Sequence, residues 1–191
     1  MIKRLMTAMA TLALLTTPLA AAEADGAMEK YAVERAAEWL KTDAVVAAIV
    51  AQNARTAGLS AEEIDALDKD WRAQVGRDDA PLISSVMDSP VSIELSDHVA
   101  DTGGVIAEVF IMDAQGLNVA ASAVTSDYWQ GDEAKFQQTY GVGPDAVHIS
   151  EVELDESTQT YQAQVSLSLT DPATGALIGA VTFGLNAQAF Y

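Results

Sequence analysis

The twelve residues from Thr125 to Phe136, TSDYWQGDEAKF, gather groups suited to holding a small polar molecule. Tyr128 and Trp129 offer rigid apolar walls carrying one hydroxyl and one indole N–H, the mixture that small-molecule sites favour. Lys135 is the one Lys or Arg between Asp78 and Tyr191, so the charge it offers points to a carboxylate ligand. Tyr140 closes the same side. Further on, YQAQVSLSLT alternates Tyr161, Ala163, Val165, Leu167 and Leu169 with Gln162, Gln164, Ser166, Ser168 and Thr170. A strand with that pattern turns one face to a core and keeps an uncharged, hydrogen-bonding face on the other side. Gln164 and Ser166 on that second face would orient a ligand whose charge Lys135 holds.

The same residues have plainer readings. Tyr128 and Trp129 also suit a plug at a sheet edge, and Lys135 also suits a pair with Asp132 or Glu133. The Gln/Ser face also suits ordinary wet sheet surface. His148, between two β-branched residues, reads as structural, and Trp39 and Trp71 fall on helical stripes and read as core.

Catalytic patterns are missing from the sequence. It has no cysteine, no G-x-S-x-G elbow, no H-E-x-x-H, no Walker loop and no G-x-G-x-x-G. Pairs such as Glu151 and Glu153 arise by chance in a chain with 28 acidic residues, so they do not argue for acid–base work. Asp127, Asp132 and Glu133 are hard oxygen ligands, but the EF-hand spacing is absent. No enzyme activity, metal or cofactor is expected. A net charge of −18 repels phosphate backbones and anionic membranes, which argues against nucleic acid as a partner.

The chain opens MIKRLMTAMATLALLTTPLAAAEA. A basic start, a short apolar run and small residues beyond Pro18 have the layout of a secretory signal peptide, too short to span a bilayer. Residues 1–22 are read as that leader, with cleavage after Ala20, Ala22 or Ala24. Residues 23–191 are read as one domain, periplasmic and without membrane insertion after cleavage; an uncleaved anchor is the alternative.

The elements that must position the candidate site follow from periodicity. Ala32, Ala36, Trp39/Leu40, Val46 and Ile49/Val50 form a helical stripe that Gly58 ends. Ser60 with Glu63 opens a second helix through a capping box, and Gly76 closes it. Between Asp78 and Gly104 the pattern weakens around Pro81 and Pro90, and short helical turns and loop are expected. From Val105 the period is that of strands. VIAEVFIMD and LNVAASAV flank Ala114-Gln115-Gly116 as a hairpin. VHISEVEL, YQAQVSLSLT and ALIGAVTFGLN make a meander turned at 155–158 and 171–175. Between hairpin and meander, TSDYWQG is a loop, and GDEAKFQQTYG a short helix crossing one sheet face. The class is α+β with a five-stranded antiparallel sheet.

The run FIMDAQGLNVAASAVTSDYWQGDEAKF, followed by HISEVELDESTQTYQAQVSLSLTDPATGALIGAVTFGLN, resembles the Cache sensor domains, the extracytoplasmic relatives of PAS domains. The resemblance covers about residues 28–191. Its most specific parts are the D-A-Q-G-L-N-V-A hairpin, the S-D-Y-W-Q-G-D-E-A-K-F crossing and the D-P-A-T-G turn with I-G-A. It implies a long N-terminal helix leaning on the PAS-like sheet, with a small-molecule pocket between sheet and crossing segment. It also implies sensing of extracellular ligands in signal transduction. Two departures stand out: FGLN carries Asn186 where amine-binding members often carry an aspartate, and no output domain is present in the sequence. The expectation is therefore a sensor module acting through a separate membrane receptor or transporter component. The alternative is a structural or interaction module on the same scaffold with no ligand.

Overall fold

The computed structural model describes residues 18–155 and 160–191. Most of the expected leader lies outside them, as do Glu156, Ser157 and Thr158 of the first meander turn. Helix α1, Pro18–Glu34, runs through the three alanines named as cleavage positions. The single stripe expected up to Gly58 is broken into three pieces. A 3-10 turn, Ala36–Leu40, follows α1, and α2, Asp43–Thr56, starts afresh. The break comes from Thr42, whose extended backbone and Oγ1 cap α2 by accepting from Val45 N at 3.3 Å. The apolar stripe survives the break, because Ala36, Leu40, Val45 and Ile49 are all buried on the sheet side.

Helix α3, Ala61–Gln74, has the expected capping box: Ser60 Oγ accepts from Glu63 N, and Glu63 Oε2 accepts from Ser60 N at 2.8 Å. The stretch expected as turns and loop instead holds two helices, α4 (Pro81–Met87) and α5 (Pro90–Asp101). The two prolines that weakened the pattern start these helices. At a first helical position the missing N–H has no partner to lose, and φ is already set.

Strands β1 (Ile106–Met112) and β2 (Asn118–Ala121) form the hairpin. Helix α6, Ala134–Gln137, lies in the crossing segment. The expected strand at 147–154 is split into β3 (Val147–Ile149) and β4 (Glu153–Asp155), both antiparallel to β5 (Thr160–Thr170). The split lies at Ser150, whose Oγ accepts from Gln164 N and whose N donates to Gln164 O, both at 2.9 Å. Strand β6 (Leu177–Asn186) is central, and the order is β2-β1-β6-β5-β3 with β4 further along β5. Six segments thus fill five positions across. A closing 3-10 turn, Ala187–Phe190, returns to α1, where Phe190 meets Tyr31 edge-on.

One sheet face packs on α1, α2 and α5 through Val109, Ile111, Val165, Val181, Phe183 and Leu185. Each such side chain, fully covered, contributes about 1.5–3 kcal/mol. The opposite face carries Phe110, Met112 and Ala180 under Phe136 of α6. A third cluster, with Ile64, Trp71, Ile83, Leu117 and Tyr128, joins α3 and α4 to the hairpin. No helix among the described residues is long and apolar enough to cross a membrane.

The hairpin turn is fixed by Asp113, which is fully buried. Its carboxylate accepts from Thr56 Oγ1 at 2.8 Å, Gln52 Nε2 at 3.2 Å, Gln115 N at 2.8 Å and Leu117 N at 3.0 Å. Gly116 in the same turn has φ +81°, and a Cβ there would stand 2.6 Å from Gly131 Cα of the crossing segment. Asp113→Ala leaves the N–H groups of Gln115 and Leu117 without this acceptor, while Gln52 and Thr56 keep carbonyl partners, so urea unfolding should show a loss of about 2 kcal/mol or more. Asp113→Asn, which keeps one acceptor oxygen for the backbone, should lose less.

Candidate ligand-binding site

The crossing segment is held first by α3. Asp68 Oδ1 accepts from the backbone N–H groups of Tyr128 and Trp129, at 2.9 and 3.0 Å. Its Oδ2 accepts from Arg72 Nε at 2.8 Å, and Arg72 Nη2 lies 3.2 Å from Asp127 Oδ1. The bond to Asp68, with the charge of Asp127 beside it, holds the Arg72 guanidinium above its ordinary pKa. Trp71 Nε1 donates to Thr125 O at 2.8 Å, and the indole stacks on Tyr128 with ring centres 5.3 Å apart. On the other side the segment runs along the hairpin edge, with Asn118 N bonded to Tyr128 O and Gln130 N to Gly116 O. TSDYW is clamped between a helix and a sheet edge.

Beyond Gly131 the segment turns over the second sheet face, and a cleft opens beneath it. Two adjoining hollows of about 400 and 390 Å³ share Glu108, Lys135 and Gln164, a size within the range of small-molecule sites. Lys135 Nζ lies 3.0 Å from Glu133 Oε2 and 3.2 Å from Gln130 Oε1, and 5.3 Å from the centre of the Phe110 ring. With its side chain 13 % exposed, this ammonium sits over an aromatic face, where a cation–π attraction adds to its pairing with Glu133. Across the floor, Glu108 of β1, Gly184 of β6 and Gln164 of β5 stand in one row of the ladder. Gln164 Nε2 reaches Glu108 Oε1 at 3.5 Å over the glycine. A Cβ at position 184 would meet Glu108 Cγ at 2.7 Å, so the missing side chain is what leaves room for this polar pair.

Of the six residues named from sequence, Lys135 and Gln164 come together in this cleft. Tyr128 is buried in the cluster with Trp71 and lines a different cavity. Trp129 donates its indole N–H to Gln115 O at 2.8 Å and faces the hairpin turn. These two aromatics join the crossing segment to the helical layer, in keeping with the plainer reading. Tyr140 stacks on Phe136 at 5.0 Å. Ser166 is buried with its hydroxyl 2.9 Å from that of Thr182. Asp171 caps its own turn: the Ala173 N–H and the Thr174 hydroxyl bond its carboxyl and lower its pKa.

Sequence reasoning passed over Glu108, Gln130 and Thr125, all in the lining. Glu108 had a signal, a charge within the apolar alternation of VIAEVFIMD. Gln130 and Thr125 had none, because their positions depend on Asp68 and Trp71 more than fifty residues away.

No protein-family model matches this sequence, and no curated protein does. By structure it is similar to the sensor domain of the V. cholerae histidine kinase DctB, at TM-score 0.50 and 11 % identity, over 90 % of this chain and 54 % of that one. The ligand-binding domain of the Campylobacter jejuni chemoreceptor Tlp3, in complex with 4-methylisoleucine, gives 0.41 and 13 %, over 92 % and 63 %. That of the Pseudomonas aeruginosa chemoreceptor PctC, in complex with GABA, gives 0.42 and 15 %, over 86 % and 61 %. The α+β fold, helices on an antiparallel sheet, is shared with the DctB sensor domain. The chain spans about half the length of the DctB domain.

Two outcomes test how the segment is held. Asp68→Ala should lower stability by roughly 2–4 kcal/mol in urea unfolding, and Asp68→Asn, which keeps an acceptor for the two backbone N–H groups, by about half as much. Burial, reinforced by Asp113 and opposed by Arg55, pushes the Tyr128 phenol up to about 12. A phenol with a higher pKa folded than unfolded holds its proton more tightly in the native state. Its stabilisation is therefore whole below about pH 10 and lost as pH rises through about 12. Ultraviolet titration of tyrosinate should show a late component that Tyr128→Phe removes.

Proposed function

We propose that this chain is an exported sensor module whose cleft between sheet and crossing segment binds a small organic carboxylate that also carries an ammonium group. The observation that carries the reading is the placement of Lys135 and Glu108 in one cleft, over a floor cleared by Gly184. Lys135 is the one basic group among the described lining residues, and it faces Glu108, Glu133, Glu151 and Glu153. A simple anion would enter a field of net negative sign. A zwitterion offers its carboxylate to Lys135 and its ammonium to Glu108, so both ends meet opposite charge. Gln130 and Gln164 supply hydrogen bonds between the two poles, and Phe110 a flat apolar surface.

The basic start and short apolar run at the N-terminus support export, and the charge and fold agree with a periplasmic setting. A ligand shifts an equilibrium only if it binds two states differently, and a bound sensor domain must pass that difference to another polypeptide. The partner in this reading is a membrane receptor or transporter component.

Calorimetric titration of amino acids, simple carboxylates and amines tests the site. A charge-assisted hydrogen bond contributes roughly 1.5–3 kcal/mol, so Lys135→Ala should weaken a zwitterionic ligand about ten- to a hundred-fold. Glu108→Gln should weaken the zwitterion and leave its deaminated analogue unchanged or improved. Equal binding of one ligand by all three proteins, or no binding from the whole panel, would favour a scaffold that works without a ligand.

A further inference from the structure

A second cavity, of about 360 Å³, opens between α2, α4 and β2 and shares no lining residue with the cleft at Lys135. Its walls are apolar: Ala48 and Ala51 from α2, Val86 from α4, Val119 from β2. Two polar groups stand out against them. Tyr128 is only 7 % exposed, and its hydroxyl has no hydrogen-bond partner among the described residues. Among the described residues the buried side-chain atoms left without a partner are Asn118 Oδ1 and Ser168 Oγ; the Tyr128 hydroxyl instead opens on the cavity, free to donate to a group bound there. Arg55, in the last turn of α2, is exposed at the cavity and forms no ion pair among the described residues. The two groups are close enough for the arginine's charge to act on the phenol.

The other polar side chains of the lining are engaged within the fold. Gln52 spends its amide hydrogens on Asp113 and on the carbonyls of Leu117 and Asn118, and Thr56 gives its hydroxyl hydrogen to Asp113 or to Gln52 O. The donors left facing the cavity are a guanidinium and a phenol, and both suit one acceptor group of negative charge. We infer that this cavity is a second ligand site, for a small monocarboxylate with a compact apolar body, its carboxylate bonded by Arg55 and the Tyr128 hydroxyl.

Amide-resolved NMR titration with benzoate tests this, with benzamide as the neutral counterpart of the same shape. Benzoate should give saturable shifts at the C-terminal half of α2, at Ser85 and Ser89 and at Val119. Benzamide should bind about tenfold more weakly or worse, for want of the charge. Arg55→Gln should weaken benzoate about tenfold and abolish the preference over benzamide. Tyr128→Phe, which keeps the ring and its stacking on Trp71, should weaken it about three- to ten-fold. Lys135→Ala should leave the shifts at this cavity unchanged, which separates this site from the cleft on the other sheet face. The inference is overturned if shifts appear only around Glu108 and Gln164, if benzamide binds as well as benzoate, or if Arg55→Gln binds benzoate as wild type does.

Discussion

A single carboxylate, that of Asp68, sets where the crossing segment lies. A charge this far from water is tolerable only if its oxygens are bonded and its charge is met, and both conditions hold. Two consecutive backbone N–H groups occupy one oxygen and Arg72 the other, and Asp127 pairs with the same exposed guanidinium. Because the acceptor binds the main chain at Tyr128 and Trp129, it fixes the segment's register independently of how those two rings pack. Once that register is set, Tyr128 must point into the helical layer, and Lys135, seven residues later, arrives over Phe110 on the sheet. Each of the two cavities depends on this placement.

If the cleft binds as proposed, its electrostatics would link occupancy to shape. Glu133, which pairs with Lys135, is also the residue before α6, and its carbonyl accepts from Phe136 N and Gln137 N. A ligand carboxylate that takes Lys135 would release the Glu133 side chain at the start of a helix of four residues. A helix that short has little cooperativity of its own and rests on packing, here of Phe136 on the sheet and on Tyr140. Exchange of one ion pair for another changes the net charge little, yet it acts on an element with few other contacts to hold it.

Much of the fold was legible because it depends on local pattern. The period-two alternation of β5, the Ser60–Glu63 box and the glycine at position 116 each carry their cause within a few residues. The break at Thr42 was local too, but a continuous apolar stripe masked the cap. The site was less legible because its geometry is set by pairs far apart in sequence, Asp68 with Tyr128 and Trp71 with Thr125. The Tyr-Trp pair reads from sequence as a wall of the site at Lys135, whereas Asp68 holds its backbone, Tyr128 stacks on Trp71 beside a different cavity, and Trp129 bonds Gln115 O. For Lys135 the pair with Glu133 was legible as one of its two readings, because the two residues are near neighbours in sequence, and they lie 3.0 Å apart.

Gly184 shows which demand prevails where fold and site compete. A glycine inside a strand costs about 0.5–1 kcal/mol relative to alanine, and at the centre of a sheet it also forgoes cross-strand packing. Strand β6 recovers stability on its other face, where Phe183 and Leu185 on either side of the glycine are fully buried. On the cleft face any Cβ would collide with Glu108, so the strand can hold that carboxylate and Gln164 side by side only by having no side chain between them. The half-buried Glu108 adds a charge to a face that mixes Phe110, Met112 and Ala180 with the hydroxyls of Ser166 and Thr182, and a charge there is harder to place than either. Two unfavourable residues in register on neighbouring strands, each accommodating the other, are hard to account for by packing alone, and they lie on the floor of the cleft that Lys135 overhangs.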